Sequence, residues 1–231
     1  MERQDFARSD LDRLEDRDLR FIIENFPVPG RSYEEIAQLV NSVPTTIESM
    51  LSSEYLFQKI CERSRVLLDI SPFLLFSVLL RRSLDDHRTQ SDRKIINYMA
   101  NLLSIFITAD RLYRVQPGDP ERREYIVDLI GEAQHADGRR KFQIYSHIGN
   151  YSLFLTGLFP RWIEHRHRYG RRPVDMQYYV DFGRSYFQRA AEHPTARELG
   201  LDEVFLRLAL LFDSYKAALN RMSRDYLHGL N

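Results

Sequence analysis

The sequence holds a single cysteine, Cys61, among 231 residues. No intramolecular disulfide can form, no CxxC pair exists to grip zinc, and a reducing compartment is the simpler setting for such a chain. Glycine (10) and proline (9) are scarce and clustered, which suits long helices joined by short turns. There is no glycine-rich phosphate loop, no G-x-S-x-G elbow and no H-E-x-x-H pair, so the common local signatures of nucleotide binding, acyl transfer and zinc hydrolysis are missing. Net charge is absent as well. The 33 Lys and Arg balance 33 Asp and Glu, leaving no whole-molecule field to attract nucleic acid or an anionic membrane. The most apolar stretch, residues 67–80, is interrupted by Asp69, Ser71 and Pro72 and falls short of the roughly 20 apolar residues that span a bilayer. The first twenty residues are dense in both charges and lack an apolar core, unlike a secretory signal. A cytoplasmic location is expected.

What is present is apolar and helical in pattern. Tyr (13) and Phe (14) are plentiful, enough with the aliphatic residues for a real core. No stretch alternates as a strand does. Leu11, Leu14, Leu19, Ile22 and Ile23 mark a helix over residues 10–25. Ser32-x-x-Glu35 reads as a capping box before a helix over 33–40. Pro44 opens another helix, and Ser53 a third that reaches about residue 64. Ser71-Pro72 caps a helix that is apolar on nearly all sides, and Arg81 and Arg82 suit the negative end of its dipole. Further helices are expected over 91–108, 121–135, 139–169 (kinked at Pro160), 175–193, 195–199 and 202–228, with a clear break at 116–120. The expectation is an all-α fold of about nine helices: an N-terminal helical portion, 1–64, packed against a helical bundle, 65–231.

Residues 32–51 have the spacing of a helix-turn-helix, with Ile36, Ala37, Leu39 and Val40 before Asn41, then Thr46, Ile47, Met50 and Leu51. The second helix offers Thr45, Thr46, Glu48, Ser49 and Ser52 where base readers would be Arg, Lys, Gln or Asn. Residues 1–60 carry 7 basic and 12 acidic side chains, which repels a duplex. Phosphate contacts dominate nucleic-acid affinity, so an ordinary helical hairpin is the preferred reading and nucleic acid is a disfavoured partner.

Cations gather later, at Arg139, Arg140, Lys141, Arg161, Arg166, Arg168, Arg171 and Arg172. Arg166, Arg168, Arg171 and Arg172 are the candidates for an anion site, because the planar guanidinium pairs with oxyanions through two bonds. The plainer reading sets them against a helix C-terminal dipole or an acidic surface of the same chain. Glu132 and His135 form an E-x-x-H on one helical face, the element that di-iron bundles use twice. The other inward carboxylates are not visible and the only second pair is Asp225 with His228, so metal is a weak candidate and no cofactor is implied.

The most unusual stretch is 147–163. Gly149, Ser152 and Thr156 form a row of small residues at helical spacing, with Gly157 beside it, opposite a bulky row of Ile144, Ile148, Tyr151, Leu155, Leu158 and Trp162. Small residues admit another backbone or a flat ligand. Buried polar groups need partners, so His147, Gly149, Asn150, Ser152, Thr156, Tyr179 and Tyr186 are the candidate ligand-binding residues. Close helix packing with a satisfied polar network is the competing reading.

Residues 71–84 (SPFLLFSVLLRRSL) and 145–193 (YSHIGNYSLFLTGLFPRWIEHRHRYGRRPVDMQYYVDFGRSYFQRAAEH) resemble a group of bacterial all-helical proteins of unknown function. The resemblance implies a bacterial cytosolic helical fold and carries no activity. With no catalytic constellation in view, the leading expectation is a non-enzymatic binding or regulatory protein. It would act on a protein partner or a small molecule, with a homodimer compatible. A helix-turn-helix regulator with a helical sensor and a metal-dependent bundle enzyme are the alternatives.

Overall fold

Serine, aspartate and proline set the helix starts. A computed structural model of the chain describes residues 5–25, 35, 44–62, 69–84, 90–169 and 174–227. Ser53 accepts from the Leu56 amide, Ser71 from Leu74, Asp137 from Arg140 and Asp175 from Tyr178, each satisfying an amide that the helix cannot. Pro72 and Pro194 occupy first turns, where no amide is required. The outcome is an all-α fold of thirteen α-helices, with no strand among the described residues. They are α1 (Asp16–Glu24), α2 (Pro44–Leu51), α3 (Glu54–Cys61), α4 (Pro72–Ser83), α5 (Gln90–Phe106), α6 (Ala109–Leu112), α7 (Ile126–His135), α8 (Gly138–Leu158), α9 (Pro160–Tyr169), α10 (Met176–Glu192), α11 (Pro194–Glu198), α12 (Asp202–Leu210) and α13 (Phe212–Met222). None is long and apolar enough to cross a membrane.

The count exceeds nine partly because two long helices are divided. Pro160 has no amide and its ring would strike the carbonyl four residues back, so α8 stops at Leu158 and α9 begins at Pro160. The Thr156 carbonyl that position 160 cannot serve accepts from Asn220 Nδ2 at 3.1 Å. The other long helix is divided at Leu211 (φ −108°, ψ 26°); nothing in the local sequence explains that break. Helix α7 starts at Ile126 and not near 121, because the Arg123 amide donates to the Tyr113 carbonyl at 2.7 Å and holds this stretch in a loop. After α11 the Leu201 and Gly200 amides donate to the Ala196 and Arg197 carbonyls, with Gly200 at φ +66°, a Schellman stop that needs glycine.

The chain forms two compact units: unit one is Met1–Ala7 with Ile105–Asn220, and unit two is Arg8–Ser104 with Arg221–Asn231. The boundary expected at 64–65 lies outside the described residues, as do the capping box at Ser32 and most of the helix after it.

Unit two is tied by two buried polar knots. The Asp18 carboxylate, fully buried, accepts from the Ser71 amide and hydroxyl, both at 2.6 Å, and from the Glu15 amide at 2.8 Å. This fastens α1 to the start of α4. Arg81 is only 2% exposed. It donates to Glu48 of α2, to Asn97 Oδ1 of α5 at 2.9 Å and to the Ser77 carbonyl at 2.8 Å, while Asn97 Nδ2 reaches Glu48 Oε1 at 3.0 Å. Arg81 is thus an interior tie between three helices, not a surface cation matched to a helix dipole.

Unit one is layered. Helix α8 buries nearly every residue from Phe142 to Gly157 and makes its largest contact with α10, which in turn packs on α12.

Candidate functional site

The small-residue row lies inside unit one and is filled by the chain itself. A Cβ added at Gly149 would meet the Phe187 ring at 2.6 Å. At Gly157 it would meet Leu219 at 2.6 Å, and at Gly183 the Phe212 ring at 2.5 Å and Ser152 Cβ at 3.0 Å. Glycine is required there because α10 and α13 press aromatic and leucine side chains onto the helix backbones. The polar members are internal too. Thr156 Oγ1 donates to the Ser152 carbonyl at 2.7 Å, Asn150 is buried with an interaction of its own, and the Ser152 hydroxyl is sealed without a partner.

A different face of α8 gathers the other candidates. His147 and Tyr151, one turn apart, stack with ring centroids 6.4 Å apart, and Tyr151 meets Tyr179 of α10 edge-on at 6.4 Å. The chain of rings continues through Tyr178 (5.4 Å), Phe182 (4.6 Å) and Tyr186 (6.0 Å) to Tyr145 (5.4 Å). Arg189 lies over Tyr186 at that end. Arg166 of α9 lies 4.8 Å over Trp162, which is 37% exposed. Periodicity explains the belt: residues 147 and 151, and 178, 182 and 186, repeat every four positions and so share a helical face.

The belt has a polar corner. Tyr151 and Tyr179 are only 5% and 6% exposed, yet neither hydroxyl has a hydrogen-bond partner among the described residues, and neither is sealed from solvent. Burial pushes the Tyr151 phenol well up, with the Tyr179 and Tyr113 phenols adding to the shift. Arg166 acts the other way, and Glu124 adds a smaller rise. Burial also raises Tyr179, again against Arg166. Both phenols therefore stay protonated at neutral pH and can donate. His147 is pushed down to about 4, first by burial and then by Arg111. Its Nε2 lies 3.1 Å from the Leu112 carbonyl, which can only accept, so that nitrogen carries the proton of a neutral ring. Neither phenol nor His147 is poised to titrate near neutrality, which suits the corner to holding a ligand better than to moving protons.

The remaining candidates lie elsewhere. Arg168 is exposed beside Tyr169, and Arg171 and Arg172 lie outside the described residues. Glu132 is taken by Arg140, which donates to it at 2.7 Å and to both Asp119 oxygens at 3.0 and 3.1 Å, and by Arg123 at 3.4 Å. Burial alone would lower Arg140, but these bonds raise it. His135 is exposed, His228 lies outside the described residues, and no cluster of three or more metal-ligating side chains occurs among the described residues. Glu132 thus serves to fasten the 116–123 loop to α8.

In unit two the candidate recognition helix turns Ile47, Glu48, Met50 and Leu51 inward. Of its outer hydroxyls, Ser49 donates back to the Thr45 carbonyl and Ser52 to that of Glu48, both at 2.9 Å. No cation stands on the outer face of α2. The preceding turn, with Asn41, lies outside the described residues.

Tyr151 and Trp162 are the residues that sequence reasoning placed only in a bulky row. The four-residue step from His147 to Tyr151 was the available signal. Comparison with protein families, curated proteins and solved structures finds no match for this chain, so the geometry alone carries the functional reading.

Proposed function

We propose that the chain is a non-enzymatic helical binding protein that takes a small ligand at the Tyr151–Tyr179–Arg166 corner of unit one, and not along the Gly149–Gly157 row. One observation carries this reading. Two deeply buried tyrosines keep hydroxyls that have no partner among the described residues and are not sealed from solvent, although polar groups in protein interiors almost always find partners. The glycine row offers no such opening, since Phe187, Leu219 and Phe212 occupy it. Apolar walls with a few convergent polar groups are the usual makeup of ligand sites.

The test is native mass spectrometry of freshly purified protein together with thermal shifts against a set of small molecules of all charge types. Retained mass lost on denaturation, or a saturable rise in Tm, should occur in the wild type and disappear in Tyr151→Ala. No retained mass and no shift with any compound would contradict the proposal, as would a response that Tyr151→Ala leaves intact.

A further inference from the structure

The ligand's chemical class follows from how the Arg166 guanidinium is held. Six arginines of unit one, Arg111, Arg114, Arg122, Arg123, Arg140 and Arg184, are ion-paired to carboxylates. Arg161, Arg166 and Arg168 of α9 have no carboxylate partner among the described residues, and α9 itself offers only Glu164. Arg166 is instead braced by its face, 4.8 Å over the Trp162 ring. A cation–π contact uses the flat of the guanidinium and leaves its in-plane N–H donors unspent.

Arg166 acts electrostatically on the Tyr151 and Tyr179 phenols, whose rings meet at 6.4 Å and whose hydroxyls have no acceptor among the described residues. A site built of donors and one fixed cation lacks an acceptor carrying negative charge. We infer that Tyr151, Tyr179 and Arg166 bind the oxyanion of a small ligand, a carboxylate or a phosphate, with the phenols donating and the guanidinium supplying the opposing charge.

This inference rests on the binding reading above and adds the ligand's charge to it. Among the described residues, the Glu124 carboxylate also acts on Tyr151. It is exposed, and its influence there is smaller than that of Arg166. The neighbouring rings of His147 and Tyr178 wall the corner with apolar faces, so the oxyanion would sit in a partly desolvated place, where a charge-assisted bond is about twice as strong as a neutral one.

The experiment is isothermal titration of the whole chain with sodium phosphate, sodium benzoate and neutral benzamide. Emission of Trp162, the only tryptophan, is followed in parallel. The expected result is saturable binding of phosphate or benzoate, no binding of benzamide, and a salt-sensitive affinity. Tyr151→Phe should weaken it about tenfold and Arg166→Gln about ten- to a hundredfold, the range for losing one hydrogen bond to a charged group. Heat is the readout for Arg166→Gln because that change also alters the surroundings of Trp162. If benzamide binds as tightly as benzoate and Arg166→Gln is silent, the corner is a ligand site but the oxyanion inference is overturned. If no probe binds while the native spectrum still shows a retained, Tyr151-dependent mass, the inference fails and the binding reading survives. If neither appears, both fail.

Discussion

In unit one the helices meet where side chains are missing; in unit two they meet where charges are buried. Helices α8, α10 and α13 come close because Gly149, Gly157 and Gly183 yield room to Phe187, Leu219 and Phe212. Helices α2, α4 and α5 are instead joined by Arg81, Glu48 and Asn97, and α1 is joined to α4 by Asp18 and Ser71. The contrast has a physical consequence. A packed interface of shape loses stability in proportion to the atoms forced in or removed, and its neighbours can partly adjust. A buried ion pair fails more abruptly, because deleting one partner strands the other.

The sharpest way to break the contrast is Arg81→Met, which leaves the Glu48 carboxylate buried without its cation and should cost unit two about 3–5 kcal/mol. Urea unfolding followed by hydrogen exchange in each unit would measure it. Adding Glu48→Leu should recover much of that loss, because an apolar replacement of the whole pair is often neutral. Failure to recover would mean that the tie contributes by shape as well.

Unit one also buries a titratable group, His147. Its pKa of about 4 lies below the ordinary 6.5. Between those values the unfolded chain binds a proton that the folded chain refuses, so stability falls as pH drops from about 6.5 toward 4 and levels off below. The full loss is on the order of 3 kcal/mol. Subtracting the pH profile of His147→Gln from that of the wild type isolates this slope.

Gly183→Ala, placing a methyl 2.5 Å from Phe212, should cost roughly 1–3 kcal/mol. Adding Phe212→Leu should soften that cost if shape is what matters. The smallest effect expected is Ser53→Ala, about 1 kcal/mol for a lost N-cap, which tests whether either unit depends on its local signals.

Those local signals are what the sequence made legible. The helix-start signals at Ser53 and Ser71 and the apolar periodicities give the all-α class and most boundaries within a few residues. Long-range chemistry was not legible. Arg81 stands at the end of an apolar helix and reads as a dipole cation, because its partners Glu48 and Asn97 lie 33 and 16 residues away. Glu132 reads as a metal ligand for the same reason, since Arg140 and Arg123 reach it only through the folded loop. The glycine row was visible, but a row of small residues says only that something comes close, and Phe187 and Phe212 are what comes. From the sequence, His147, Tyr179 and Tyr186 read as one candidate ligand-binding group and Arg166 as part of a separate anion site. Their assembly into one belt, with Tyr151 at its centre, depends on how α8, α9 and α10 are placed.

The most direct measurement of the central claim is ¹⁹F NMR of the chain labelled with fluorotyrosine, with the 13 tyrosines assigned by single Phe substitutions and the spectrum followed during titration with benzoate. Saturable shifts confined to Tyr151, Tyr179 and their neighbours Tyr113 and Tyr178 are the expected result. Shifts scattered over the surface tyrosines, or a spectrum in which Tyr151 and Tyr179 do not move, would contradict the account.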